Sequence, residues 1–146
     1  RRDSAMSRIE EAARQAQIYG NIVEFPERFE TKLGERGVTL SGGQRQRTSL
    51  ARGLIKNAPI MILDDSVSAV DAVTEQKIID TISAERQGLT TIVIAHRISA
   101  LKHADEIFVL DEGRIVQRGT HDRLVSEPGL YASLHAIQEE GSRDAE

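Results

Sequence analysis

Ile60-Met61-Ile62-Leu63-Asp64-Asp65 is the stretch on which the fold turns. Four consecutive apolar residues cut off by two carboxylates read as a strand buried on both faces with a polar carboxyl end. Residues 72–84 then read as a helix, and Thr90 to Ala95 as a second buried strand that ends at His96. Strand, helix, strand in that order predicts parallel pairing and an α/β domain. Before the first strand, a helix is predicted from Gly43 to about Lys56, closed by Pro59. Leu50 stands above Leu54 and Ala51 above Ile55 on its inward face, while Arg45, Arg47, Arg52 and Lys56 face mostly outward.

Outward from this centre the pattern is helical on both sides. From Ala5 to Gln17, Met6, Ile9, Ala13 and Ala16 recur on one helical face. Asn21 to Gly37 holds Pro26, Gly34 and Gly37 and reads as a short helical piece followed by an extended loop. Beyond the second strand a short helix precedes Ala104. Glu106 to Leu110 and Ile115 to Arg118, joined by Asp111-Glu112-Gly113-Arg114, predict a β-hairpin. Thr120 reads as the N-cap of a helix over His121 to Val125, which Pro128-Gly129 breaks. A last helix starts at Leu130 and runs to about Glu139 with Leu134 and Ile137 inward, and the chain is expected to fray from Gly141. Two parts follow: residues 1–57, helical, and residues 58–146, part of an α/β core with a terminal hairpin and helices.

Composition narrows the class. The 146 residues are 39% hydrophobic and 29% charged with a net charge of -4, ordinary for a globular chain. No basic block is present to neutralise a phosphate backbone, which argues against a nucleic-acid partner. The chain has no cysteine, hence neither disulfides nor thiolate metal sites. No run approaches the roughly 18 apolar residues of a membrane span, so membrane contact must come from another segment.

Leu40-Ser41-Gly42-Gly43-Gln44 puts a serine and two glycines directly before a helix, where free N–H groups and the positive helix end could receive an anion. Read alone, it is equally a capped helix start with Ser41 as N-cap. Asp64 at the carboxyl end of a buried parallel strand stands where Mg²⁺ is held beside phosphates, or else caps a turn. Asp65 is the next candidate, a general base that would orient water onto a γ-phosphate. Ser68-Ala69-Val70-Asp71 follows within a few residues. His96 leaves the second strand on the same expected sheet edge and could hydrogen-bond a γ-phosphate; a histidine there can also be structural. His103, His121 and His135 have no comparable setting and read as surface residues.

The ordered combination resembles the nucleotide-binding domains of ATP-binding cassette (ABC) proteins, over about Asn21 through Ile137. The resemblance makes Leu40, Ser41, Gly42, Gly43 and Gln44 the signature, which acts on ATP held by a second cassette. It makes Ile60 to Asp64 the Walker B strand, with Asp64 holding Mg²⁺ through water, Ser68 to Asp71 the D-loop, and His96 the switch histidine. The implied fold is a P-loop NTPase-like core with a mostly parallel sheet plus a helical subdomain. Thr31 to Gly37 is similar to the loop that touches the membrane domain in exporters, with Leu33 where valine is usual, and Gly119 to Asp122 is also typical of exporters. The implied setting is the cytoplasmic face of a membrane, with ATP and Mg²⁺ bound and two partners: a second nucleotide-binding domain and a transmembrane domain of the same polypeptide.

Two departures refine this expectation. No Gly-x-x-x-x-Gly-Lys-Ser/Thr loop is present, so the chain reads as the C-terminal half of a cassette that binds ATP poorly on its own. The family's catalytic glutamate is matched by Asp65, whose carboxylate is about 1.5 Å shorter in reach. Such a change is familiar from heterodimeric exporters with one degenerate site. Two other readings stand beside this one: a soluble cassette ATPase of DNA repair or translation, and a non-hydrolysing regulatory or assembly subunit.

Overall fold

Ser41 and Asp71 start the two helices that frame the first strand, and each does so with its own side chain. In the computed structural model, which describes residues 2–34 and 37–143, Ser41 caps helix α3 (Gly42–Ile55) and Asp71 caps helix α4 (Ala72–Glu85). Strand β1 (Ile60–Asp64) lies between them, and strand β2 (Thr90–Ile94) follows α4. The strands pair in parallel, with Ile60 opposite Thr90 and Asp64 opposite Ile94. This is the predicted α/β crossover.

The chain divides into two compact units, residues 1–94 and 95–146. In the first, helix α1 (Arg2–Gln15) packs on α3 and α4. Its buried stripe is Ala12, Ala13 and Ala16, with Ile18 just beyond. Ile9, expected on that stripe, is exposed, while the neighbouring Arg8 reaches the Ile55 carbonyl of α3 at 3.0 Å. Helix α2 (Tyr19–Glu24) and a 3-10 turn at Arg28–Glu30 supply the short helical piece. Glu35 and Arg36, part of the loop likened to exporters, lie outside the described residues.

The strands depart from expectation in one respect. Met61 and Leu63 enter the core with Leu50, Ala51, Ile78 and Ile82, but Ile60 and Ile62 are 59% and 60% exposed. Ile92 and Ile94 share that open face. The apolar run implies cover on both faces, and among the described residues the helices cover one. Arg86 fastens the opposite end of the pair: its guanidinium donates to the Ala58 carbonyl (2.9 Å), the Thr90 carbonyl (3.3 Å) and the Thr91 hydroxyl (3.1 Å).

In the second unit, strands β3 (Ile107–Asp111) and β4 (Arg114–Gly119) form the predicted hairpin. Glu112 and Gly113 make its two-residue turn with φ of 46° and 75°, the left-handed pair that matches strand twist. Helices α5 (His121–Ser126) and α6 (Leu130–Arg143) pack on it. The core is Ile98, Ile107, Val109, Leu124 and Tyr131. Ile98 opens a 3-10 turn (Ile98–Leu101), the short helix expected before Ala104.

Here several expectations fail. Leu134 and Ile137 are exposed and Tyr131 is the inward residue of α6, its N–H donating to Gln117 Oε1 at 2.9 Å and its hydroxyl meeting His121. The helix continues past Gly141 to Arg143 rather than fraying there. His121, expected on the surface, is 8% exposed, with Nδ1 2.9 Å from the Tyr131 hydroxyl and its ring edge-on to His135, which is half-buried. His103 is exposed as expected.

Burial pushes the His121 pKa down; His135, Lys102 and His103 add to this and Asp122 opposes it. The unfolded chain therefore binds more protons than the folded one between the folded pKa and the free value of about 6.5. Stability contributed by neutral His121 is fully present above that free value and is lost as pH falls towards the folded pKa. Thermal unfolding followed from about pH 8 to pH 5 should show the melting temperature falling with acid, and less steeply in a His121→Gln variant. Equal slopes in the two proteins would remove His121 from the account.

Candidate functional site

Ser41 begins the site. Its hydroxyl accepts the Gln44 N–H at 3.2 Å, and its own N–H donates to Gln44 Oε1 at 2.9 Å, a reciprocal capping box. Gly42 and Gly43 form the first helical positions, whose N–H groups have no acceptor within the helix. A side chain at Gly43 could not fit without displacement: a Cβ there would lie 3.0 Å from the Ala69 carbonyl and 3.3 Å from Val70 Cγ1. Leu40 is half-buried, and its carbonyl accepts from the Arg45 guanidinium at 3.0 Å. Arg47, predicted outward, instead folds back, its guanidinium donating to the Gly43 carbonyl at 3.3 Å and to the Gln17 carbonyl just beyond α1.

The loop after β1 meets this helix start. Asp64 ends the strand with an exposed side chain, and its carbonyl accepts from the Ser66 hydroxyl at 3.4 Å. Asp65 is exposed, has a left-handed backbone (φ 50°) and donates its N–H to the Ile94 carbonyl at 3.1 Å. The Ser68 hydroxyl donates back to the Asp65 carbonyl at 3.1 Å. Asp71 turns its carboxylate onto Thr74, accepting the N–H at 2.9 Å and the hydroxyl at 2.7 Å. Those two bonds hold its carboxyl pKa below the usual value.

Two clefts result, both within the first unit. One, of about 550 Å³, is lined by Ser41, Gly42, Gly43, Arg47, Ala69, Val70, Asp71 and Thr74. The other, of about 420 Å³, holds Asp64 and Asp65 with Arg45, Gln46 and Ser66. The glycine-rich turn and the loop up to Asp71 are thus brought together, and the Asp64-Asp65 pair is set in a separate cleft. His96 belongs to the second unit, where its side chain is exposed and its carbonyl accepts from Gln138 Nε2 at 2.8 Å. Gln138 Oε1 also accepts the Ile98 N–H at 2.8 Å, so α6 holds the backbone on both sides of Arg97.

Sequence reasoning missed Gln46. Its Nε2 donates to the Asp65 carbonyl (3.2 Å) and to Ser68 Oγ (3.1 Å), and its Oε1 accepts the Ala69 N–H (2.8 Å). The available signal was an uncharged amide between Arg45 and Arg47, one and a half turns into a helix otherwise outwardly cationic.

The N–H groups at the start of α3 are of the kind that receives an anion. Among the described residues no three His, Asp or Glu side chains could hold a metal ion by themselves. Asp64 and Asp65 present two exposed carboxylates in one cleft. No helix among the described residues is long and apolar enough to cross a membrane.

Comparison with known proteins gives a consistent result. Residues 2–68 match the family described as ABC transporter. The chain is 50% identical over 92% of its length to an ATP-dependent lipid A-core flippase of Alkalilimnicola ehrlichii, of which it covers 23%. It is 47% identical over 92% of its length to the multidrug resistance-like ATP-binding protein MdlA of Buchnera aphidicola, again covering 23%. It superimposes with a TM-score of 0.80 and 43% identity on a bacterial Atm1-family ABC exporter with ATP bound, over 90% of this chain and 23% of that one. The chain thus spans about a quarter of the length of the relatives it matches.

Proposed function

Because the chain belongs to the ABC transporter family, as a segment of the ATP-binding domain, we propose that it serves an exporter by completing one ATP site and supplying the base of another. The observation that carries this reading is the division into two clefts, one at the capped turn Ser41–Gly43 and one at Asp64 and Asp65. In the first, the Ser41 hydroxyl and the N–H groups of Gly42 and Gly43 take the γ-phosphate of ATP held by a second cassette. In the second, Asp65 orients the attacking water and Asp64 faces the cation; His96, in the second unit, serves as the switch histidine that the family resemblance implies. Mg²⁺, when bound, neutralises charge on the phosphates.

Residues 1–57 act as the signature-bearing helical part and residues 58–146 as half of the ATPase core. Ser68 and Asp71 line the seam between cassettes. The partner cassette is a different subunit, because Asp65 is a short-armed base and a fully competent site must then come from elsewhere. Membrane-spanning segments of the same polypeptide place this segment on the cytoplasmic face and convert cassette closure into export. Lacking a phosphate-cradling Gly-Lys loop, the segment alone is inactive. Asp65 also favours a second reading, a regulatory subunit that binds ATP without hydrolysing it.

ATP hydrolysis by the full-length protein, measured with and without its partner cassette, tests the proposal. Hydrolysis that depends on the partner is expected. ATP binding without turnover in the complex would favour the regulatory reading, and neither binding nor turnover would end both.

A further inference from the structure

The amide of Gln46 joins two segments distant in sequence, and both of its ends are engaged. Two hydrogens go to Asp65 O and Ser68 Oγ, and the oxygen receives the Ala69 N–H. That set fixes which end is nitrogen, because the reverse orientation would face the Ala69 N–H with a second donor. Gln46 lines the cleft of Asp64 and Asp65, whereas Ala69, which it holds, lines the cleft of Ser41 and Gly43. The side chain therefore stands between the clefts and is bonded to the loop that borders both.

We propose that Gln46 is a positioning residue that couples the two ATP sites served by this chain, a step that rests on the ATPase reading above. The first turns of α3 move as one body, because the capping box closes the helix from its first residue and Arg45 and Arg47 tie it to neighbouring carbonyls. A shift of Ser41 to Gly43 onto the partner's nucleotide carries Gln46 with it. Three hydrogen bonds then move the backbone from Asp65 to Ala69 in the same direction. Since Asp65 has a left-handed backbone held by Ile94 on one side and Gln46 on the other, its carboxylate follows the position of the loop. Engagement at one site thereby sets the base at the other.

The test uses the full-length protein with its partner cassette, comparing wild type, Gln46→Ala and Gln46→Glu. ATP hydrolysis gives kcat, KM and the Hill coefficient, and hydrogen exchange reads the Ala69 amide. Gln46→Ala should lower kcat about tenfold, leave KM within about twofold, bring the Hill coefficient towards unity and speed Ala69 exchange about tenfold. Gln46→Glu keeps the acceptor for Ala69 but loses both donors, so Ala69 should stay protected while kcat and cooperativity still fall. If the alanine variant does not fold, the glutamate variant decides alone. Wild-type kcat and cooperativity in the folded variants would overturn the inference while leaving the ATPase reading intact. Absence of hydrolysis in the wild type would overturn the ATPase reading itself, and the coupling with it.

Discussion

Replacing Asp65 with glutamate in the full-length protein, assayed with its partner cassette, is expected to raise ATP turnover by about an order of magnitude while lowering the melting temperature by a few degrees. The two effects have different origins. Turnover rises because a general base must come within hydrogen-bond distance of the proton it takes, and one added methylene extends the carboxylate by about 1.5 Å. Only part of a general base's contribution is recovered, since aspartate can act through a longer contact. Stability falls because Asp65 has φ of 50°, a region that aspartate visits more readily than glutamate, at a difference of about 1 kcal/mol or less. Unchanged or reduced turnover in a folded variant would remove Asp65 from the role of base. A simple surface position would show neither effect.

The second large effect is expected at Ser41. Ser41→Ala should destabilise the protein by about 1 kcal/mol, because the hydroxyl caps α3, and reduce turnover about a hundredfold if that hydroxyl donates to the phosphate as proposed. Ser41→Asp separates the roles. Aspartate is a good N-cap and suits the helix dipole, so stability should return, yet its charge repels phosphate and turnover should stay low. Recovery of turnover by Ser41→Asp would mean that the cap alone matters. A division of labour between sites also predicts unequal results: loss at Ser41 and gain at Asp65. Equal losses from both changes would contradict it.

The legible parts of this chain are those whose causes are local. Ser41 and Asp71 as helix starts, the Glu112-Gly113 hairpin turn and the break at Pro128-Gly129 each follow from the conformational preferences of a few consecutive residues. The parallel pairing of Ile60–Asp64 with Thr90–Ile94 was legible from the order of elements. What failed depends on which surface meets which. The apolar run at Ile60 is the same whether one face or two are covered, and only the placement of the helices decides. Ile9, Leu134 and Ile137 fit an apolar stripe that tertiary packing rotates away, and His121 is buried because Tyr131 from another helix reaches it. Gln46 was invisible for the same reason, since its partners lie 19 to 23 residues away and no local pattern announces them.

The reciprocal hydrogen bonds of Ser41 and Gln44 bear on how fast a nucleotide can be engaged. A turn already closed by its own residues has surrendered its conformational freedom before any ligand arrives. Docking then has no local folding step to wait for, and the association rate is set by diffusion and mutual orientation of the two cassettes. Engagement of this turn by the partner's nucleotide should consequently slow exchange at the Gly42 and Gly43 amides, which gain an acceptor, and leave the Gln44 amide, already bonded to Ser41, little changed.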